Sequence, residues 1–286
     1  MKYLKFVEDI MRIAANVAKT RKIGEKLVQK PIIAGVVILL IISSTRLRSQ
    51  EREEHPTRVL PPHSVVAGKT LGDWSAVWWK WAFAIPANDN PLLDPTGEKS
   101  KFGDVGPVFF LAGTFNPSGS ATVTRTVTIP GNKFVFFPLV NFVNDNVGNG
   151  CSAPSSIPCA NRQNIDALKA PFDGPHGIPA VTALHASIDG HSIGDLFSHR
   201  ESSPVFSYTL QLTDNLQEIS NQIPTTLDFS GTVFPVVADG FYLMLRPLPI
   251  GQHVINFGGV LSGNSLDVTY QVTVTPPSSQ RVVAVP

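Results

Sequence analysis

Carboxylates at the right separation are what glycoside hydrolysis requires, so the acids and amides come first. Asn88-Asp89-Asn90 with Asp94, and Asn141 with Asn144-Asp145-Asn146, gather such groups in two short stretches. Asp89, Asp94 and Asp145 are therefore the candidate acids of a hydrolytic or ligand-binding site, and only the folded chain can pair them. Calcium takes oxygens of the same kind, but neither stretch has the Asp-x-Asp-x-Asp-Gly spacing of a calcium loop. Asx side chains also serve turns by bonding their own backbone, which is the simpler reading. Calcium is the one cation kept open, and no other cofactor is expected.

Histidines and cysteines follow. His185, Asp189 and His191 share the run H-A-S-I-D-G-H. If Asp189-Gly190 is a two-residue hairpin turn, Ile188 pairs with His191, and period two sends His185 to the opposite face. No metal site is predicted there. His253 shares a strand face with Ile255 and Phe257 and reads as a structural histidine, while His176 and His199 fall in loops without a carboxylate pattern. Cys151 and Cys159 bracket C-S-A-P-S-S-I-P-C; beyond a membrane, two cysteines so placed predict a short-loop disulfide. G-x-S-x-G, H-E-x-x-H and the phosphate- and dinucleotide-binding glycine patterns are absent, which lowers an enzyme reading without removing it.

All four tryptophans fall in W-x-x-x-W-W-x-W. At 100° per residue Trp74, Trp78 and Trp81 share one helical face with Trp79 on its flank. An exposed row of indoles can stack on sugar rings or seat in a membrane interface. The alternative is a packing helix laid across the open end of a β-sandwich, each buried indole contributing roughly 150–250 Å² of contact. Residues 68–85 carry this helix, with Asp73 as its cap and Pro86 as its stop.

The elements that must position these groups begin with a leader. Residues 1–44 hold eight Lys/Arg and three Asp/Glu, hence +5; the remaining fifteen basic and nineteen acidic residues give −4. A mildly acidic body without a basic stripe argues against nucleic acid as a partner. Residues 31–45 carry no charge and are almost wholly apolar. As a helix they would reach roughly 22 Å, short of the ~30 Å hydrocarbon core, which suits a signal-peptide core or a short anchor. The preceding positive charge puts residues 1–30 in the cytoplasm as a basic amphipathic segment. No A-x-A pattern follows, so a retained signal anchor is favoured and a cleaved leader is its rival. Residues 46–66 read as a linker and 276–286 as a disordered tail.

Between them, 67–275 reads as one mainly β domain. Charge is low, at 16% against a typical ~25%, and strand-like runs alternate with turn residues. Thr122, Thr124, Thr126 and Thr128 alternate with Val123, Arg125, Val127 and Ile129, the mark of a half-exposed strand. Val108–Leu111 and Phe134–Phe137 are apolar on both sides and read as central strands. Further strands are expected at 180–188, 192–197 and 205–212, with 213–235 irregular, and then a C-terminal hairpin turning at Pro249-Ile250-Gly251. About nine strands without βαβ alternation predict a two-sheet β-sandwich, jelly-roll or immunoglobulin-like.

The tryptophan pattern, N-P-L-L-D-x-T-G at 90–97, G-P-V-F-F-L-A-G-T at 106–114, I-P-G-N-K-F-V-F-F-P-L-V-N at 129–141 and D-G-F-Y-L-M-L-R-P-L-P-I-G-Q-H-V-I-N-F-G-G at 239–259 together resemble a family of exported microbial proteins without an established activity. The resemblance spans roughly residues 67–275. It implies export and a shared fold and supplies no catalytic residue. Members usually carry cysteines near the positions of Ser100 and Thr126, which this chain lacks, so that disulfide is not carried over.

These readings converge on an extracytoplasmic protein, tethered to the membrane through residues 31–45 or secreted. Its expected role is binding or structural, toward a glycan or another cell-envelope partner. The rival is a secreted hydrolase acting on a glycan through paired carboxylates.

Overall fold

The computed structural model describes residues 58–115, 119–147, 164–173, 181–211, 213–217 and 231–277. The expected segments 1–30 and 31–45, most of the linker, Cys151, Cys159, His176 and residues 278–286 lie outside them. Among the described residues no helix is long and apolar enough to cross a membrane.

The fold is mainly β, with several sheets. A two-residue ladder, β1 (Val65–Val66) with β2 (Lys69–Thr70), leads into helix α1 (Leu71–Ala84). Then come β3 (Asp104–Val105), β4 (Val108–Phe110), β5 (Ala121–Pro130), β6 (Phe134–Asn144) and the short helix α2 (Ile165–Lys169). The second half holds β7 (Val181–Ile188), β8 (His191–Ser192), β9 (Arg200–Ser202), β10 (Phe206–Leu210), β11 (Gly231–Leu245), β12 (Gly251–Leu261) and β13 (Asn264–Thr275). One sheet has the order β10-β11-β6-β4-β3, with β9 also on β11, and the other β5-β13-β12-β7-β8. Most pairings are antiparallel, but β4–β6 and β5–β13 are parallel.

Side-chain alternation places the cores. From the second sheet Val127, Ile129, Phe257, Tyr270 and Val272 meet Phe137, Leu243 and Phe241 of the first. Alternate residues of the same first-sheet strands, Phe136, Tyr242 and Met244, point the other way and meet Trp74, Trp78 and Trp79 of α1. The helix thus covers the outer face of the first sheet and does not lie across an open end. This is why β4 and β6 are apolar on both sides.

Several boundaries differ from expectation for local reasons. Thr70, not Asp73, is the N-cap: its Oγ1 accepts from the Asp73 N–H at 3.1 Å, while the Asp73 carboxylate accepts from the Thr70 N–H at 3.0 Å, a capping box. Residues 58–66 are not free linker, because Val59 bridges Leu245 and the Leu60 N–H donates to the Met244 carbonyl at 2.8 Å. The strand expected over 192–197 stops after Ser192, where Asp195 adopts φ 52° and starts a 3-10 turn over Leu196–His199. The stretch expected to be irregular through 235 is already β11 from Gly231, where Val233 and Val236 bury against β10.

Candidate functional site: an aromatic-walled cleft

Three of the four indole N–H groups tie α1 to its surroundings. Trp74 donates to the Val66 carbonyl at 3.0 Å, Trp78 to Leu111 at 3.2 Å and Trp81 to Phe102 at 2.6 Å. Trp74 and Trp78 are buried and Trp81 is half-buried, so these three are packing residues and form no exposed row. Only Trp78 among them reaches the cleft described next.

Beyond the helix the aromatic column continues. Trp79 stacks on Phe83 with ring centres 5.4 Å apart, and Phe83 on Tyr208 at 4.0 Å. The Tyr208 hydroxyl donates to Asp145 Oδ2 at 2.7 Å. Here the chain leaves β6, and a cleft of about 630 Å³ opens between this end of the strand, the helix and the ends of β12 and β13. Trp79, Phe83, Phe115 and Phe142 supply its aromatic wall, and Thr114, Asn141, Asn144, Asp145, Gln217 and Asn264 its polar groups. Its size falls in the usual range for small-molecule sites, roughly 300–1,000 Å³. The strand is irregular here: Val140 faces Phe241 and Pro138 faces Tyr242, leaving Leu139 as a bulge. A bulge is where a proline, which lacks a ladder donor, fits into a strand.

Asp145 is the centre of the polar end. Its Oδ1 accepts from the Val147 N–H at 2.8 Å, and its Oδ2 accepts from Gln217 Nε2 at 3.0 Å as well as from Tyr208. Gln217 Nε2 also lies 2.7 Å from the Tyr208 hydroxyl. Protein surrounds the carboxyl on most sides, although the residue is partly accessible from the cleft. Burial raises its pKa, against the pull of the Tyr208, Val147 and Gln217 donors. The Tyr208 phenol is itself pushed up, first by burial and then by the neighbouring carboxylate.

A second polar group lies behind the wall. The fully buried Tyr242 hydroxyl is surrounded by Asn141, Trp79 and Ser75, yet it meets no partner at hydrogen-bonding geometry, nor do Trp79 Nε1 and Asn141 Nδ2. Burial raises the Tyr242 pKa.

The other candidate acids are elsewhere. Asp94 is buried, and four donors occupy its carboxylate: Thr96 N at 2.8 Å, Thr96 Oγ1 at 2.7 Å, Gly97 N at 3.0 Å and Lys99 N at 2.8 Å. Burial alone would raise its pKa, but these bonds together hold it below the ordinary carboxylate value. Asp89 is exposed in a 3-10 turn, and neither acid lines the cleft with Asp145. Asn90 is committed as well, its Nδ2 donating to the Ala82 and Ile85 carbonyls that end α1. The Asx-rich stretch 88–97 therefore shapes turns. Among the described residues no group of three or more His, Cys, Asp or Glu side chains could hold a metal ion.

His185, His191 and His253 fall where their spacing puts them. Asp189 and Gly190 turn with φ of 52° and 80°, and Ile188 faces His191. His185 bonds Asp267 at 3.0 Å on the outer face of the second sheet. His253 lies 2.8 Å from Asp189 and 3.0 Å from the Pro249 carbonyl, a structural tie between the β7–β8 turn and the turn that precedes β12. His199 is buried, and burial lowers its pKa. Tyr208 and Gln217 are the site residues that sequence reasoning missed. Tyr208 carried only the alternation of its strand, and Gln217 sits in a stretch without any period. The chain matches no family model, no curated protein and no solved structure.

Proposed function

We propose that this is an extracytoplasmic binding protein of the cell envelope, tethered through residues 31–45 or released, whose ligand enters the cleft at Asp145. Its two sheets are read as a β-sandwich of jelly-roll or immunoglobulin-like type, with α1 as an added outer layer. The observation that carries the proposal is the cleft itself, with a half-buried, three-fold hydrogen-bonded carboxyl at one end and an aromatic wall beside it. Export is supported by the basic and apolar leader. The raised pKa of Asp145 favours the rival reading, a glycan hydrolase needing a protonated acid. Against it, Asp145 is the only carboxylate among the described residues lining the cleft, whereas glycoside hydrolysis by the usual route needs two.

Trp78 and Trp79 line the cleft, so intrinsic fluorescence reports its occupancy. A Cβ at Gly113 would meet only the Pro138 ring, at 3.9 Å, so Gly113→Leu fills the cleft without a backbone clash. A library of envelope glycans and small metabolites is expected to contain a compound that shifts the emission of the wild type and leaves Gly113→Leu unchanged. Turnover of a glycan substrate that disappears in Asp145→Asn would instead establish the hydrolase.

A further inference from the structure

We propose that the ligand of this cleft is an organic cation, a primary or quaternary amine whose charge sits against Asp145. The inference rests on the binding reading above and adds the ligand's chemical class. Among the described residues lining the cleft, Asp145 is the single charged side chain. It makes no ion pair among the described residues: its partners there are a backbone N–H, a phenol and an amide, all neutral. The wall around this negative charge includes Trp79, Phe83, Phe115 and Phe142 with aliphatic neighbours such as Leu92 and Leu266, and the uncharged Thr114, Asn141, Asn144 and Asn264 also line it.

The sign of the ligand follows from what filling the cleft does to that carboxylate. Any occupant removes the solvent that reaches Asp145 from the cleft. A neutral occupant deepens the desolvation of the charge without compensation. An anion adds repulsion in a poorly screened setting. A cation replaces lost solvation with direct attraction, and aromatic side chains add their own attraction for cations, most for softly hydrated ammonium groups. An inorganic metal ion would want several oxygen ligands; among the described residues no group of three or more His, Cys, Asp or Glu gathers here, and the one carboxylate of the lining already accepts three bonds. Aromatic and aliphatic side chains make up the larger part of the wall, so the body of the ligand presents hydrocarbon to them and its head is the charge.

The test uses the full chain and a matched pair of probes, choline and its neutral carbon isostere 3,3-dimethylbutan-1-ol, with n-butylammonium as a primary amine. Binding is read by tryptophan fluorescence and calorimetry. The expected result is that at least one cation binds about tenfold or more tighter than the neutral isostere. That preference is expected to vanish in Asp145→Asn, and Gly113→Leu to lose all binding. Near-ultraviolet circular dichroism establishes that both variants are folded; if Asp145→Asn does not fold, the same loss of preference is sought in Asp145→Ser, which also removes the charge. Equal or tighter binding of the neutral probe overturns the proposal, as does a cation preference that survives Asp145→Asn. No cation binding at about millimolar concentration also overturns it. The broader reading fails separately: it falls if no compound of any charge distinguishes the wild type from Gly113→Leu.

Discussion

Asp94 and Asp145 are two enclosed carboxyls whose neighbours push them in opposite directions, and each leaves a distinct mark on stability. For Asp94 the folded pKa is lowered, so its contribution is present above the ordinary carboxylate range and is lost as pH falls through the lowered value. Removing the carboxylate strands four backbone and hydroxyl donors, and Asp94→Ala is expected to cost about 2–4 kcal/mol at neutral pH. Chemical denaturation at pH 7 and pH 3 checks this, with the difference from wild type shrinking at the lower pH. For Asp145 the folded pKa is raised, so between the ordinary and raised values the folded chain holds a proton that the unfolded chain has released. Its contribution is most favourable below that window and declines as pH rises through it. Asp145→Asn cannot titrate, and a pH series of melting temperatures is expected to lose that declining segment. Arg125 belongs at this scale too: it is buried and held by the carbonyls of Asp94, Ala112 and Gly113 and by the Tyr270 hydroxyl. Its place on the inward side was legible in the Thr/Val alternation of its strand.

Among the elements, α1 and the β12–β13 hairpin make the sharpest claims. Thr70→Ala removes the cap of α1 and is expected to lower stability by about 1 kcal/mol, measured by urea unfolding. Gly258 lies so close to the Leu266 carbonyl of β13 that a Cβ would stand 1.9 Å from it. Gly258→Ala is therefore expected to cost about 3 kcal/mol or more, read as a large drop in melting temperature. Strands with clean alternation or an unbroken apolar run, such as β5 and β6, were legible because burial acts on every second residue or on all of them. The layer that α1 joins was not legible: an amphipathic helix states that it has a buried face, not which sheet meets it. β11 was misread at its start because its first residues lie at the sheet's edge and alternate weakly. Asp145 was legible as a candidate only through its Asx neighbours. Its partners Tyr208 and Gln217 come from distant stretches, and such convergence is a property of the fold, not of any local pattern.

For the whole molecule, the charge split puts the excess of positive charge in residues 1–44 and leaves the rest mildly acidic. The retained-anchor reading predicts that the protein recovered from cells fractionates with membranes and still begins within residues 1–44. N-terminal sequencing checks it; a chain starting near residue 46 in the soluble fraction would show a cleaved leader instead. β11 has a consequence of another kind. It lies between β6 on one side and β9 and β10 on the other, and its end also takes the bridge from Val59. Leu245 pairs with Val135, and Asp239 with Phe142, so the central sheet cannot close until nearly the whole chain is present. Such distant pairings fold slowly because loop closure precedes any reward. A chain emerging N-terminus first must then keep β4, β6 and the indoles of α1 uncovered while the last quarter is still to come. Its assembly is timed by its final strands, and any factor that shields hydrophobic segments would act in that interval.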